Sequence, residues 1–286
     1  MGVGAAALAA AVSITPAPVG AATPKIIVGA VGDASGLGKS TIGSPLAYHG
    51  YGKLNGGVPV AKMISVRPVT TWRSVANAGS GTSTYNDIVR WAQAIKGRSG
   101  TILLAFSHEP EASTNTNLGS AGDFIAAYRR VVDIFRQQGV ANVEYTWQMT
   151  SWAFAVNSGD RRAAAKWYPG DAYVNNVGTD PYNWYRCRDS SGSWKELKQV
   201  MDPSLAFARA HGKKLVVAEF GSVADSRRPQ WLRNAHQYFV ANRDTVRAVF
   251  YFQYPAAQGC PWTLNTSGDM AAMKELAGDS TNFSTS

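Results

Sequence analysis

Charge is scarce in this chain: 16% of its 286 residues are charged, against about a quarter in most globular proteins. With 45% apolar and 11% aromatic residues, that scarcity excludes a disordered polyampholyte and a coiled coil, and a large core is affordable. Cysteine is scarcer still. Cys187 and Cys260 are too few for a disulfide scaffold or a four-cysteine zinc site, but an exported chain can oxidise one such pair. One disulfide is therefore expected, with two buried thiols as the alternative. His108-Glu109 is not followed by a second histidine, since residue 112 is Ala112, so no zinc-protease helix exists. No Gly-x-Ser-x-Gly elbow occurs, which argues against an α/β-hydrolase. The run from Gly32 to Thr41 resembles a phosphate-binding loop, yet Asp33 stands where the strict spacing needs glycine. A flexible loop above the first strand is expected there. Past the N-terminus no apolar run approaches the roughly 20 residues of a membrane span.

What is present begins with residues 1–22, rich in Ala, Gly and Val and ending Val19-Gly20-Ala21-Ala22. They read as a signal peptide, although the usual positive n-region is missing. The mature protein is expected to be soluble, secreted and extracellular, with no membrane association. Residues 23–278 are assigned to one domain and 279–286 to a flexible tail.

Seven apolar runs, at residues 25–31, 61–66, 101–106, 142–147, 172–178, 214–218 and 247–253, read as buried parallel strands because most are continuous rather than alternating. A weaker run at 46–49 makes eight. Helical patterns separate them. Thr84 is expected to cap a helix that stops at Gly97, and Ser120 with Asp123 to cap one carrying Phe124, Tyr128, Val131, Val132 and Phe135. Further helices fit 194–211, with Pro203 inside, 230–241 and 268–276. Starts near 101, 142, 172, 214 and 247 keep a cadence of 30 to 42 residues. That cadence indicates an α/β fold, a single (β/α)8 TIM barrel whose site lies at the C-terminal strand ends.

An acidic residue at the C-terminal end of an apolar barrel strand is costly to place and needs a reason. The fourth strand runs into His108-Glu109-Pro110-Glu111 and the seventh into Glu219-Phe220-Gly221. Two carboxylates facing one cleft suit glycoside hydrolysis, in which one protonates the leaving oxygen and the other attacks or stabilises an oxocarbenium-like centre. Capping or ion pairing at loop starts is the plainer alternative, and it must hold twice.

His108-Glu109, the stretch Tyr168-Pro169-Gly170-Asp171-Ala172-Tyr173-Val174 leading into Val177-Gly178-Thr179-Asp180-Pro181-Tyr182, and Ala218-Glu219-Phe220-Gly221 together resemble glycoside hydrolase family 26. This is an endo-β-mannanase family in the clan of retaining barrels with glutamates on strands four and seven. Gly29-Ala30 and Trp262-Thr263-Leu264-Asn265 also fit. The resemblance implies Glu109 as acid/base and Glu219 as nucleophile, with carboxyl groups about 5–5.5 Å apart for retention. It implies His108 and Tyr182 as supporting residues, Tyr182 bonding the nucleophile. Glu111 rivals Glu109, but only Glu109 directly follows the histidine. The family's mannanases carry Arg-Pro-Tyr-His-Glu-Met-Asn-Gly at this strand, and here the arginine and the Asn-Gly are absent. β-Glucan and xylan therefore stand beside β-1,4-mannan as substrates.

Trp72, Trp147, Trp152, Trp184, Tyr185 and Trp262 fall at or beyond strand ends, where flat rings can cover the apolar faces of sugars; core packing is the alternative for each. Trp91, Trp167 and Trp231 sit in helical stretches and are expected in the core. A disulfide between Cys187, after the sixth strand, and Cys260, after the eighth, would brace the rim that holds Trp184 and Trp262. His49 is expected to line the cleft, and His211 and His236 to lie on helix surfaces. The net charge of +9 comes from scattered pairs such as Arg129-Arg130 and Arg227-Arg228, a solvated face rather than a nucleic-acid groove. The expected partner is a polysaccharide, the expected state a monomer, and no cofactor or metal is called for. A catalytically inactive polysaccharide-binding barrel is the alternative function.

Overall fold

The computed structural model describes residues 24–187, 192–255 and 259–286, and the expected leader at 1–22 lies outside them. Eight parallel strands close a barrel: β1 (Ile26–Gly32), β2 (Ala47–Lys53), β3 (Met63–Arg67), β4 (Ile102–Phe106), β5 (Val143–Thr150), β6 (Asn176–Asp180), β8 (Lys214–Ser222) and β9 (Val246–Gln253). Each pairs with the next and β9 returns to β1. Two two-residue strands add to this frame. Strand β7 (Tyr182–Asn183) pairs in parallel with the C-terminal end of β8, and β10 (Phe283–Ser284) pairs with β1.

Strands are continuously apolar because both faces are covered. One face fills the barrel with Ile27, Val31, Met63, Leu103, Val216 and Phe250. Gly29 makes room for this plug, since a β-carbon there would lie 2.4 Å from the Phe250 ring. The other face packs on the helices α1 (Ala34–Ile42), α2 (Trp72–Ala76), α3 (Ser83–Lys96), α4 (Ala121–Gln137), α5 (Leu197–Ala210), α6 (Arg228–Ala241) and α7 (Ser267–Ala277). The β2–β3 connection has no helix, and short 3-10 turns at Ser151–Phe154 and Ala164–Trp167 replace one between β5 and β6. None of the described helices is long and apolar enough to cross a membrane.

Several boundaries differ from the sequence reading. The loop expected after the first strand is α1, because Asp33 caps it by accepting from the Gly36 amide at 2.7 Å and Leu37 drives it into the core. The cap of α3 is Thr82 rather than Thr84, and α5 starts at Leu197 with Glu196 at its N-cap. The sixth barrel strand begins at Asn176, four residues late, because 171–173 form a turn closed by Tyr173 N–H on the Gly170 carbonyl. The expected tail carries β10, and Phe283 is buried beside β1. Ser120 and Asp123 form the expected reciprocal cap of α4.

One buried ion pair ties the last helices to the rim. Arg228, 1% exposed, grips the equally buried Asp269 through two bonds of 2.9 and 2.6 Å and donates to the carbonyls of Pro261 and Thr263. These flank Trp262. Replacing Arg228 by Met strands a buried carboxylate and is expected to cost about 3–5 kcal/mol in urea unfolding. Adding Asp269→Leu should recover much of the loss; a single-variant cost below about 1 kcal/mol would contradict this role.

Candidate active site

Strand β4 ends at Phe106 and the chain then turns sharply. Ser107 and Glu109 take φ of 51° and 50°, in the left-handed region that side-chain-bearing residues rarely adopt. Neighbouring strands hold the turn. Ser107 N–H donates to the Val66 carbonyl of β3 at 2.8 Å, and Glu109 N–H to the Gln148 carbonyl of β5 at 3.0 Å. The Trp72 indole N–H donates to Ser107 Oγ at 2.9 Å, and Asn115 Nδ2 to the Glu109 carbonyl at 2.8 Å. His108 and Glu109 thus face a cavity of about 610 Å³ that also takes in Asp180, Tyr182 and Glu219.

Glu219, on β8, meets two phenols. Tyr182 O–H donates to Oε2 at 2.7 Å and Tyr51 O–H to Oε1. Asp180 accepts from the Ser151 amide at 2.7 Å and lies beside the carboxyl group of Glu109. Glu111 Oε1 accepts from the amide and hydroxyl of Thr150, while its Oε2 is buried with no partner among the described residues. Four carboxyl groups from three strands share this end of the barrel.

Burial there disfavours charge. It pushes Glu219 up to about 7, helped by the charge of Glu109 and opposed by the Tyr182 and Tyr51 hydrogen bonds. Asp180 is held well above the carboxylate range by burial and then by Glu109. Glu111 is raised to about 7 by burial, against the Thr150 bonds. His108 is held well below the usual imidazole value by burial and then by Arg67. Among the described residues, the guanidinium deep in the group is that of Arg67 at the end of β3, which donates to His108 Nε2 at 2.9 Å and to Asn115 Oδ1 at 2.8 Å.

The expected aromatic platforms divide. Trp152, 43% exposed, Trp184 and Trp262 line the cavity. Trp184 and Trp262 meet edge to face at 4.9 Å, and the Arg162 guanidinium lies 4.0 Å over Trp152. Trp72 and Trp147 are fully buried and belong to the core. Trp72 braces Ser107, and Trp147 packs between Phe154, Tyr168 and Phe207. Trp72 opens α2, past the end of β3, and Trp147 lies within β5 rather than at its end. Tyr185 lies under Arg227, away from the cavity. Trp91, Trp167 and Trp231 are core, as expected. His49 does not line the cleft. It is buried beneath it, between the Ala218 carbonyl and Ser65 Oγ at 2.9 Å each, and burial lowers it to about 4. His211, at the C-cap of α5, pairs with Asp171, and His236, within α6, pairs with Asp279. Cys187 and Cys260 form the disulfide, Cα to Cα 5.9 Å, beside Trp184 and Trp262.

Tyr51, Arg67, Phe252 and Tyr254 line the cavity without having been expected there. Each stands at or just beyond the C-terminal end of a strand, the position that could have pointed to them, but the rule applied to carboxylates weighs only residues that are costly to place there. Tyr51 escaped because the second strand was ended at His49. Among the described residues no group of three or more His, Cys, Asp or Glu is arranged to hold a metal ion.

Comparison with known proteins gives one consistent family. The family model "Glycosyl hydrolase family 26" matches residues 85–255. "Endoglucanase H" of Acetivibrio thermocellus is 28% identical over 203 residues, 67% of this chain and 22% of that protein. "Mannan endo-1,4-beta-mannosidase" of Bifidobacterium adolescentis is 29% identical over 163 residues, 51% of this chain and 16% of that protein. The chain therefore spans about a fifth of the length of these relatives. A GH26 beta-mannanase from Bacteroides ovatus superposes with a TM-score of 0.61 at 15% identity, covering 91% of this chain and 90% of that one. A modular endo-beta-1,4-mannanase from Cellulomonas fimi does so at 0.61 and 19%, covering 91% and 72%. At these identities the structures share the fold.

The raised carboxyl groups fix the direction of a pH effect on stability. Between about pH 4.5 and 7 the folded chain keeps protons on Glu111 and Glu219 that the unfolded chain has released, so stability falls as pH rises through that window. Glu111→Gln and Glu219→Gln should flatten this fall and raise the thermal midpoint above wild type at pH 8. A pH dependence unchanged in both variants would refute the assignment.

Proposed function

The chain belongs to glycosyl hydrolase family 26, and from that premise we propose that it cleaves a β-linked polysaccharide with retention, Glu219 as nucleophile and Glu109 as acid/base. The observation that carries this reading is the seating of Glu219. Its two oxygens each accept a phenol O–H, from Tyr51 and Tyr182, in the cavity that Glu109 enters from the fourth strand. Hydrogen bonds to the charged form favour ionisation of a buried carboxylate against the cost of burial and orient its oxygens for attack.

In the first step a Glu219 oxygen bonds the anomeric carbon while Glu109 gives its proton to the departing glycosidic oxygen. Asp180, held well above the carboxylate range by burial and then by Glu109, keeps a protonated carboxyl group beside it. Ester formation removes the negative charge on Glu219. The repulsion it exerted on Glu109 goes with it, and Glu109 then accepts a proton from the water that releases the sugar. His108 and Tyr182 position these groups, and Trp152, Trp184 and Trp262 supply apolar faces for sugar rings along the cavity.

β-1,4-Mannan or a related β-glycan is the first reading for substrate. A β-glucan is the second, favoured by the longer alignment with Endoglucanase H and by the missing arginine and Asn-Gly of the fourth strand. The reading places the enzyme outside the cell as a monomer, with a leader at 1–22 preceding one barrel. A binding-only barrel would have no use for both Glu109 and Glu219 beside paired phenols.

On mannan, glucomannan, xylan and mixed-linkage glucan, reducing-sugar release should appear on at least one substrate, with the β-anomer formed first by ¹H NMR. Glu109→Ala should lower kcat/KM by about 10²–10⁴-fold on a polymer, and Glu219→Ala should abolish turnover. Release unaffected by Glu219→Ala, or first product of the α-anomer, would sink the proposal. Glu219 must be ionised to act, so the acidic limb of kcat/KM should lie near 7 and move to higher pH in Tyr182→Phe, which removes a bond favouring the charged form. A limb that stays or falls would show that Tyr182 does not serve Glu219.

A further inference from the structure

Arg67 has a part in this site that neither the family match nor the two carboxylates require. A guanidinium donates and never accepts, so the 2.9 Å contact between Arg67 Nη2 and His108 Nε2 makes Nε2 the acceptor. The imidazole is then neutral with its proton on Nδ1. That Nδ1 is buried and has no partner among the described residues, although His108 lines the cavity beside Glu109. Through its other arm Arg67 holds Asn115 Oδ1 at 2.8 Å, and Asn115 Nδ2 holds the carbonyl of Glu109, the residue at φ 50°. One side chain on β3 therefore sets both the imidazole and the backbone of the acid/base loop. It reaches from the third strand, and the fourth strand carries Leu104 and Ala105 in that stretch and no arginine of its own.

We infer that Arg67 is a positioning residue that locks His108 as the neutral Nδ1–H tautomer, keeping one N–H donor in reserve for a hydroxyl of the sugar at the cleavage point. The second half of this rests on the glycosidase reading; the lock itself does not. An unpaired buried donor is costly in the empty site and is repaid when a hydroxyl arrives, which rewards a substrate offering an acceptor at that place over one that does not. The groups around His108 are Arg67 from β3, with His49 and Tyr51 from β2, the latter with its ring centre 5.3 Å away. The two that bear on its charge, Arg67 and His49, both oppose a second proton.

Four histidines make the test tractable. Long-range ¹H–¹⁵N correlation spectra of histidine-labelled protein, with His108→Gln for assignment, should show His108 as Nδ1–H, unchanged from about pH 5.5 to 8. In Arg67→Met the ring should acquire Nε2–H character or titrate within that range, and kcat/KM should fall about 10²-fold. Arg67→Lys, which can serve His108 or Asn115 but not both, should keep more of the tautomer than Met does. An Nε2–H imidazole in the wild type overturns the inference without any variant, and so does an Nδ1–H signal unaltered in a folded Arg67→Met protein. A locked tautomer in a chain inactive on every glycan supports the lock and counts against the proposed function instead.

Discussion

Burial of carboxyl groups that the barrel forces together, with their mutual repulsion added to it, governs this site. Glu109 and Glu111 arrive on one loop, Asp180 on the next strand but one and Glu219 on the strand after that, all at one partly dry end of the barrel. A medium of low dielectric cannot hold four negative charges at such close quarters. The protein answers with donors placed one by one: two phenols on Glu219, the Thr150 pair on Glu111, the Ser151 amide on Asp180 and the cation of Arg67 near the centre. The protons that remain are what acid/base chemistry needs.

The scaffold beneath makes that arrangement durable. Ser107 and Glu109 keep unfavourable backbone angles because β3, β5, Trp72 and Asn115 hold them from several directions. Under the cavity floor lies a polar layer rather than an apolar one. His49 links the Ala218 carbonyl, next to Glu219, to Ser65 and onward to Gln148, so β2, β3, β5 and β8 are tied just below the reacting groups. On the far rim, the disulfide and the buried Arg228–Asp269 pair fix the segment that presents Trp262.

The barrel was legible in the sequence because buried parallel strands leave continuous apolar runs that need no long-range information, and the carboxyl pair proposed to carry the chemistry was legible because a carboxylate at such a strand end has few innocent explanations. The aromatics were not legible to the same degree. A Trp at a strand end reads identically whether its ring turns up into the cleft, like Trp152, or down against a helix, like Trp72 and Trp147; side-chain direction is set by partners such as Ser107 and Phe207 from distant positions. Arg67 and Tyr51 were missed for another reason. A cation or a phenol at a strand end is cheap to place, and its importance comes only from what it touches. Local chemistry also misled at α1, where a glycine-rich run looked like a loop until Asp33 and Leu37 were seen to cap and bury it.

The central claim is that Glu219 forms a covalent bond to the sugar while Glu109 manages the proton. Incubation with a 2-deoxy-2-fluoro-β-glycoside bearing an activated leaving group, followed by peptide mass mapping, tests it directly. The account predicts a single glycosyl adduct on the peptide containing Glu219, stable until a sugar acceptor or slow hydrolysis releases it. An adduct on Glu111 or Glu109, or release of the leaving group with no adduct and an inverted product, would contradict it.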